Sequence, residues 1–581
     1  MKSLKMLRKG LIALIVLTVV ISLYVGKTTN VDNPNTNAIS PGAKTIGTTS
    51  YAIPSNSLYV DPVKGNNTNM GTVTAPFQTI QKAIDNAASG QTIVLRGGTY
   101  HQIGIIITKS NLTIQSYPNE SVWLDGSIAV TEWVQEGTIW VHSGWTAKFN
   151  SDPTDTWGKA DREEASWRFV KTDFPMAPYP DQVWINDIRQ EQVKTLSEVS
   201  DGKFYVDYAE NKLYLGSNPT DLSVRASDLG SVLDAPVGGA PKGAAITVVA
   251  PNVTIRGIGI IRYATCVPDQ GTIYVNETSK GLKLENVEIA YNATNGLCMS
   301  GADDVILQSV SSHDNGLTGI CATRCDGLTL NEVLATKNNA ESFNVAPVAA
   351  GVKIGRSRNI TVSNSKMSDN RAHGLWFDED CYDINIVSNE FCNNIMTGHE
   401  ENHTMIDPLT GKKYTCVNEA SGVVIELSGT AKIANNRIVN NSAAGLYVLM
   451  SDNIQISGNT ISGSKYSLKI KNGKENGRER TWKLDADYPE LSWTVDNIKI
   501  INNTIGGGTN NILLLQDDSN KRTGTMGVTS NKNVYFRASS NSPANLITCL
   551  SKNYPTLDDF KTATSQDSQS IELIGTVPSL D

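Results

Sequence analysis

The chain has 581 residues, which is enough for one large elongated domain with a smaller inserted one. Hydrophobic residues make up 39% of it, so a chain that is disordered throughout is excluded. The 50 Lys and Arg residues against 58 Asp and Glu give a formal net charge of −8, and no basic run has the character of a nucleic-acid-binding track. DNA or RNA is therefore not expected as a partner, because nucleic-acid binding needs clustered positive charge.

The N-terminus has the layout of an export signal. A basic stretch, Met1–Lys9, precedes an uncharged apolar run from Leu11 to Val25. The run is short for a membrane helix, which needs about 20 residues, and no clear cleavage motif follows it. Residues 1–27 are interpreted as a signal peptide or a membrane anchor, and both predict a secreted or cell-surface protein. Residues 28–57 are rich in Thr, Asn, Ser, Gly and Pro and are predicted to be an unstructured linker.

Residues 58–129 are predicted to form an N-terminal cap and the first coils of a solenoid. The segment Ala75–Ile84 and the residues after it place Phe77, Ile80, Ile84 and Ala87 on one helical face. Such a helix would cover the apolar interior and the open strand edge of the first coil, which prevents end-to-end aggregation.

The solenoid pattern stops between about residues 130 and 226. Six of the ten tryptophans lie here, and segments such as Lys203–Tyr208 followed by Lys212–Leu215 are typical of antiparallel hairpins. We therefore expect an inserted small β-domain. Its tryptophans either form the core of that domain or bind sugar rings, and the core is the more ordinary role.

A repeat between about residues 245 and 515 predicts that residues 227–540 form the main β-helix. Each repeat unit consists of a Gly-apolar-x-apolar motif, a segment with alternating Ile, Leu or Val, and an Asn-rich turn. The units begin at Gly296, Gly319, Gly351, Gly374, Gly422 and Gly445. Three of the steps between these glycines are 23 residues long. A period of this length with short alternating strands is typical of a β-solenoid with one repeat per coil. The chain is therefore expected to be an all-β, monomeric, right-handed parallel β-helix, with residues 541–581 as a C-terminal tail.

The coil offset predicts which side chains share a face. Because successive side chains of a strand point to opposite sides, the first and third residues after each glycine, such as Leu375 and Phe377, should fill the interior. The second and fourth residues then point outward. On this count Asp378 and Glu426 stack on neighbouring coils if the segment Thr397–Ser421 loops out.

The same count places Cys298 beside Cys321, at a separation that allows a disulfide.

Two carboxylates on neighbouring strands about 4.8 Å apart repel each other unless something compensates. Three compensations remain open: the Lys353 ammonium one coil away, a bound cation such as calcium, or a proton held by one carboxylate. The last would make Asp378 and Glu426 an acid/base or nucleophile pair. No other cofactor and no dedicated metal site is predicted.

The surroundings of the acidic pair favour a sugar site. Trp376 and Tyr447 lie on the same outward column, and aromatic rings exposed along a groove can stack on pyranose faces. Trp376 could equally cover a neighbouring turn. Lys353, Arg356 and His373 border the same face and are further candidates for substrate binding.

Arg356 and Glu379 share one coil offset, so these two are also expected to pair with each other.

These motifs resemble known families. The opening from Leu58 onward resembles the N-terminal cap of the pectate-lyase-like β-helix superfamily. Gly374-Leu-Trp-Phe-Asp378 with Gly422-Val-Val-Ile-Glu426 resembles the paired coils of β-helical glycoside hydrolases, notably parallel β-helix β-xylosidases, which also carry an inserted β-sandwich. The resemblance implies that Asp378 is the nucleophile and Glu426 the acid/base.

Three functions follow from this pattern. The first is a retaining glycoside hydrolase acting on plant or microbial polysaccharide or oligosaccharide. The second is a calcium-dependent polysaccharide lyase, in which Lys353 or an arginine removes the proton next to a uronate carboxylate. The third is a non-catalytic, carbohydrate-binding or adhesive surface solenoid, since fold does not imply function.

Overall fold

The structure is a computed structural model. It describes residues 40–155, 157–158, 161, 168–232, 243–396, 419–473 and 491–575, and the backbone of 402–406 and 413–417. Residues 41–581 form one compact unit. The candidate export signal and residues 397–401, 407–412 and 418 of the segment Thr397–Ser421 lie outside the described residues. Within the described ranges, none of the helices has the length and apolar character needed to cross a membrane.

The N-terminal section supplies a helix and the first coils. Its elements are β1 (Leu58–Val60), α1 (Ile80–Asn86), β2 (Thr92–Leu95), β3 (Gly98–Tyr100), β4 (Ile105–Ile107), β5 (Thr113–Ser116) and β6 (Val122–Asp125). Helix α1 begins after Thr79, whose hydroxyl accepts a hydrogen bond from the Lys82 N–H. Phe77 precedes the helix and bridges to Val60. Phe77, Ile80, Ile84 and Ala87 are all buried in the interior of the first coils, as the helical pattern predicts.

An antiparallel section interrupts the solenoid. Its strands are β7 (Ser127–Ala129), β8 (Val134–Glu136), β9 (Ile139–Ser143), β10 (Val183–Ile185), β11 (Ile188–Arg189), β12 (Glu191–Gln192), β13 (Lys203–Asp207), β14 (Lys212–Leu215) and β15 (Val224–Ser227), with a 3₁₀ turn at Leu196–Glu198. They form two sheets, β11-β10-β15-β7 and β12-β13-β14-β9-β8. Trp133, Trp140 and Trp145 pack into the core of this section, so these tryptophans have the ordinary structural role.

The main solenoid follows. Its strands are β16 (Ile246–Val248), β17 (Thr254–Ile261), β18 (Ile273–Val275), β19 (Lys283–Ala290), β20 (Leu297–Ser300), β21 (Ile306–His313), β22 (Ile320–Thr323), β23 (Thr329–Asn331), β24 (Leu334–Thr336), β25 (Ala350–Gly355), β26 (Arg358–Ser363), β27 (Lys366–Ser368), β28 (His373–Asp378), β29 (Tyr382–Val387), β30 (Glu390–Cys392), β33 (Val423–Glu426), β34 (Gly429–Ala434), β35 (Arg437–Val439), β36 (Ala444–Leu449), β37 (Asp452–Ser457), β38 (Thr460–Ser462), β39 (Tyr466–Asn472), β40 (Asp496–Ile501), β41 (Thr504–Gly506), β42 (Asn511–Asp517), β43 (Val528–Asn531) and β44 (Val534–Arg537). Between β30 and β33, the strands β31 (Asn402–Ile406) and β32 (Lys413–Val417) pair with each other in an antiparallel two-stranded sheet. A helical turn, α2 (Val345–Val348), precedes β25, and a 3₁₀ turn lies at Val267–Asp269.

The last section closes the solenoid rather than trailing from it. It contains β45 (Ile547–Cys549), β46 (Lys552–Tyr554), α3 (Leu557–Thr564) and β47 (Ile571–Ile574). Leu557 and Phe560 of α3 are buried against the interior of the last coils, and β47 pairs in parallel with β44. The described part of residues 541–581, predicted as a tail, is therefore a C-terminal cap.

Parallel strand pairing builds the solenoid. One sheet, named the site sheet here, pairs β4, β16, β18, β20, β22, β25, β28, β33, β36, β39, β42 and β45 in that order. Two further rows of strands share β17, β19 and β21 and separate after β21, which pairs with both β23 and β24. The fold is an all-β parallel β-helix, as predicted.

The interior is apolar along its whole length, because the first and third residues after each glycine point inward. Leu297, Met299, Ile320, Ala322, Val352, Ile354, Leu375, Phe377, Val423, Ile425, Leu446 and Val448 are all at most 2% exposed. Asn-rich turns form two buried ladders of side-chain amides, in which each amide N–H donates to the amide oxygen of the next coil. One runs through Asn292, Asn315, Asn338, Asn370, Asn394 and Asn441. The other runs through Asn389, Asn436, Asn459, Asn503 and Asn533.

Residues 41–57, predicted to be part of an unstructured linker, lie against the solenoid instead. Three backbone N–H groups donate to it: Gly42 to Glu332 O, Ala43 to Ser311 Oγ and Lys44 to Asn286 Oδ1. The Tyr51 ring lies under the Arg256 guanidinium, 4.4 Å from its centroid. Gly42 has a φ of 105°, and a Cβ there would meet Ser311 Oγ at 2.6 Å. The polar composition of this segment predicted an unstructured linker. The contacts that order it are made largely by backbone groups, and these leave no apolar pattern in the sequence.

Candidate active site

The acidic pair lies on two neighbouring strands of the site sheet. Strands β28 and β33 pair directly, with Phe377 opposite Ile425. Both of these side chains are fully buried, whereas Asp378 and Glu426, the next residues along, keep partial exposure. The prediction that the two carboxylates point outward from adjacent coils is therefore confirmed.

Both carboxylates stand at the same corner of the coil. Asp378 ends β28 and Glu426 ends β33. The residue that follows each of them, Glu379 and Leu427, has a left-handed φ of 47° and 49°. Because non-glycine residues adopt this conformation at a cost, the repeated turn fixes where each strand stops and aligns the two acids.

Lys353 binds Asp378 from the adjacent coil. Its Nζ lies 2.8 Å from Asp378 Oδ2, with side-chain exposures of 15% and 19% for the two residues. The ammonium also donates to the Pro347 carbonyl and lies 3.6 Å from the centroid of the Trp376 ring. Of the three compensations for the acidic pair, the structure contains the one supplied by Lys353.

Trp376 is buried, and the expectation that its ring is exposed for sugar stacking is wrong. It is 6% exposed, and Lys353 covers one face of its ring. The indole Nε1–H donates to Glu426 Oε2 at 3.1 Å. Trp376 therefore orients the second carboxylate rather than offering a free surface.

The burial of Trp376 comes from an apolar cluster outside the solenoid interior, named the outer cluster here. Its buried members are Phe169, Ala177, Val267, Leu317, Phe343, Val345, Ala349, Ala350, Ala372, Trp376, Met396, Ala420 and Val424. Segments near residues 169–177 and 343–350 thus cover part of the site sheet. These segments lie outside the repeat that carries Trp376, so the coil pattern could not predict that they cover it.

His373 begins β28 and contacts both Trp376 and the backbone. Its Nδ1 accepts a hydrogen bond from the Ser421 N–H at 3.0 Å, and its ring meets the Trp376 ring edge-on at 5.2 Å. Burial, with the nearby Lys353 charge, lowers the pKa of the imidazole to about 3. The ring is neutral at physiological pH, so its proton lies on Nε2, which is a hydrogen-bond donor.

Tyr447 lies one strand beyond Val424 in the outward column, as predicted. It is half-buried beside the outer cluster, and burial raises the pKa of its phenol well above the usual value. The next residue in the column is Lys469, whose Nζ lies 4.4 Å from the Tyr447 ring centroid. The repeat count did not find Lys469, because Ser467 stands where the preceding coils have their glycine.

Arg356 and Glu379 pair across adjacent coils, as their common offset predicts. Arg356 Nη2 lies 2.6 Å from Glu379 Oε2. Arg356 therefore neutralises the residue that follows Asp378, and its role in binding a substrate stays a prediction.

Cys298 and Cys321 form a disulfide between β20 and β22, as predicted from the coil count.

Metal ligation is not evident at the pair. Within the described ranges, no group of three or more His, Cys, Asp or Glu side chains is arranged to hold a metal ion. Lys353 Nζ already lies 2.8 Å from one carboxylate oxygen of Asp378, Oδ2. Calcium binding stays a prediction.

Comparisons with known proteins fit this architecture. The family model described as right handed beta helix region matches residues 271–461, and a model of a family of unknown function matches residues 63–104. Pectate lyase PEL9 of Emericella nidulans is 45% identical over 75 residues, which are 12% of this chain and 18% of that protein. The uncharacterized protein YwoF of Bacillus subtilis is 37% identical over 81 residues, 13% of this chain and 17% of that protein. The chain thus matches only a small part of the length of either relative.

A solved structure matches over most of the chain. It is described as the complex structure of XylC with xylose, and it aligns with a TM-score of 0.61 at 15% identity. The alignment covers 90% of this chain and 87% of that chain. At this identity the likeness shows the fold. The protein is a right-handed parallel β-helix with the pectate-lyase-like fold, which carbohydrate-active proteins share.

Proposed function

We propose that this protein is a secreted or cell-surface retaining glycoside hydrolase, with Asp378 as nucleophile and Glu426 as acid/base. The observation that carries the proposal is the pair itself, which ends two directly paired strands at one corner of the site sheet. Neighbouring strands are about 4.8 Å apart, close to the roughly 5–5.5 Å between the carboxyl groups of retaining enzymes. Inverting enzymes need roughly 6.5–9.5 Å to admit a water between them.

The two acids are held by different partners. Asp378 forms an ion pair with the Lys353 ammonium at 2.8 Å, which holds in place the carboxylate that would act as nucleophile. Glu426 accepts a hydrogen bond from the Trp376 indole N–H at 3.1 Å, and this contact orients its carboxylate. Paired carboxylates in unlike environments are typical of glycosidases.

The reaction would run in two displacements. Asp378 attacks the anomeric carbon while Glu426 gives its proton to the departing glycosidic oxygen, which leaves a glycosyl ester on Asp378. Glu426 then takes a proton from water, and the resulting hydroxide attacks the anomeric carbon and releases the Asp378 carboxylate. Lys353 and Trp376 act as positioning residues throughout.

A polysaccharide lyase is the second candidate, because a pectate lyase is among the relatives that match part of the chain. That reaction needs a base that removes a proton, and Lys353 is a cationic group that contacts the pair, through Asp378. Its ammonium already binds Asp378, the Pro347 carbonyl and the Trp376 ring. The side chain would have to leave these contacts before it could reach a substrate proton, which favours the hydrolase. The substrate class of the hydrolase is an oligosaccharide or polysaccharide, and the solved structure with xylose makes xylo-oligosaccharides the first to test.

The test is to incubate the purified protein with fragments of xylan, pectin, arabinan and alginate. We expect new reducing ends on at least one of them, without ultraviolet absorbance from unsaturated ends. Asp378→Asn and Glu426→Gln should each remove most turnover, whereas Asp383→Asn, an exposed acid in the same coil, should leave it unchanged. Unsaturated products would select the lyase, and binding without turnover would select a non-catalytic protein.

A further inference from the structure

A group of lysines lies beside the acidic pair on the site sheet. Lys469 and Lys471 belong to β39, and Lys465 precedes it. Two of the three have acidic partners: Lys471 Nζ lies 2.7 Å from Asp518 Oδ2, and Lys465 Nζ lies 3.8 Å from Glu419 Oε1. The positive charge of these two lysines is therefore balanced within the chain.

Lys469 differs from its neighbours. In the part of the chain that the structure describes, no carboxylate lies within ion-pair distance of its ammonium. Its Nζ lies instead 4.4 Å and 5.4 Å from the ring centroids of Tyr447 and Tyr466. Burial lowers the pKa of this ammonium, and the charges of Lys471 and Lys465 act in the same direction, while those of Glu419 and Asp518 oppose them. A half-buried cation without a counter-ion costs free energy, which an anion from outside the chain would recover.

The position of Lys469 relates it to the acidic pair. Val424, Tyr447 and Lys469 are consecutive residues of one outward column on β33, β36 and β39. Lys469 is therefore two strand spacings, about 10 Å, from the strand that carries Glu426. A saccharide that lies along the sheet with its scissile bond at the pair would bring a neighbouring sugar residue to this lysine.

We propose that Lys469, framed by Tyr447 and Tyr466, forms a subsite for a sugar residue that carries an anionic group next to the hydrolysed bond. The group is a carboxylate, as in a uronic acid, or a sulfate ester, since both accept hydrogen bonds from an ammonium. This subsite rests on the proposed function, because it takes the pair as the point of cleavage. It makes the substrate an acidic oligosaccharide, although the whole chain carries a formal net charge of −8.

The contact of Lys469 with two tyrosine rings would also arise if this lysine only stabilised the fold. The two roles differ in what the variants change. Lys469→Met keeps an unbranched apolar side chain over the rings and removes the charge, and Lys469→Arg keeps the charge. A purely structural lysine affects stability but does not discriminate between neutral and acidic ligands.

The experiment measures binding by calorimetry in a Glu426→Gln background, so that ligands are not consumed. The probes are two matched pairs, xylotriose with and without a glucuronic acid residue, and a galactose trisaccharide beside trigalacturonate, with sulfated xylotriose as a further arm. We expect at least one acidic ligand to bind about tenfold more tightly than its neutral partner. Comparison of the uronate ligands with the sulfated ligand shows whether the subsite prefers a carboxylate or a sulfate ester. Lys469→Met should remove the preference, Lys469→Arg should keep it, and Lys432→Met, an exposed lysine on another sheet, should not alter it.

Equal binding of neutral and acidic partners, or a preference that survives Lys469→Met, would overturn the subsite and leave the hydrolase intact. If none of the saccharides binds, the subsite and the proposed function both fail.

Discussion

Replacing His373 with asparagine tests the electrostatics of the site. The asparagine Oδ1 lies close to where the imidazole has Nδ1, so the Ser421 N–H keeps an acceptor while the titratable group is removed. The folded-state pKa of His373 is about 3, against an ordinary value of 6.5. The unfolded chain therefore binds more protons between these two values, and this residue makes the protein less stable as the pH falls through that window.

The magnitude follows from the shift. About 3.5 pKa units correspond to about 5 kcal/mol once the pH lies well below 3, and to about 2 kcal/mol between pH 7 and pH 5. The His373→Asn variant should lack this loss, so its free energy of unfolding should fall by about 2 kcal/mol less than that of the parent protein on going from pH 7 to pH 5. Since all other titratable groups are common to both proteins, their contributions cancel in this difference.

Nuclear magnetic resonance of histidine-labelled protein measures the same quantity directly, because the chain has only 6 histidines. The signal that disappears in His373→Asn should stay that of a neutral ring down to pH 5. His313 provides a control of opposite sign. Burial opposes its protonation, but Asp314 and Glu288 outweigh this and raise its pKa to about 9, so its stabilisation is complete below 6.5 and is lost as the pH rises through 9. An ordinary titration of His373 near 6.5 would refute the reasoning.

Three further predictions concern the framework of the site. A double-mutant cycle of Lys353→Met and Asp378→Asn should give a coupling energy of about 2 kcal/mol in urea unfolding, since both partners are largely buried; independent effects would mean that the ion pair does not hold the carboxylate. Cys298→Ser should lower the free energy of unfolding by about 3 kcal/mol, because the bridge to Cys321 closes a 23-residue loop. Reductant should lower the free energy of unfolding of the parent protein but not that of the variant. An equal effect of reductant on both proteins would count against the bridge. Asn394→Ala should cost about 3 kcal/mol in the same assay, since it breaks a buried amide ladder and leaves its neighbours' polar groups without partners; a change below about 0.5 kcal/mol would show that the ladder adds little.

The sequence predicted the features that depend on local periodicity. A strand alternates its side chains with a period of two, and the coil repeats every 23 residues, so the offset from Gly374 and Gly422 was enough to place Asp378 and Glu426 together. The same count found the pair Cys298 and Cys321. A one-residue error in the coil count would have placed these polar side chains in the apolar interior.

Features that depend on contacts between distant segments could not be predicted in this way. Trp376 has a coil offset that points its side chain outward, yet the outer cluster buries it, because Phe169 and Phe343 come from segments outside the repeat. The coil count did not predict Lys469 as a site residue, because its coil lacks the leading glycine from which the offset is counted. Residues 41–57, which lie against the solenoid, are polar in composition, and backbone hydrogen bonds of the kind they make cannot be predicted from a sequence pattern.

The central claim is that Asp378 and Glu426 hydrolyse a glycosidic bond by two displacements. Proton NMR of the first-formed sugar, recorded before the anomers equilibrate, tests it most directly. The account predicts that this product has the same anomeric configuration as the substrate, because the side chain of Asp378 attacks before water does. A first product of the opposite configuration would contradict the nucleophilic role of Asp378, even if both carboxylates were essential for turnover.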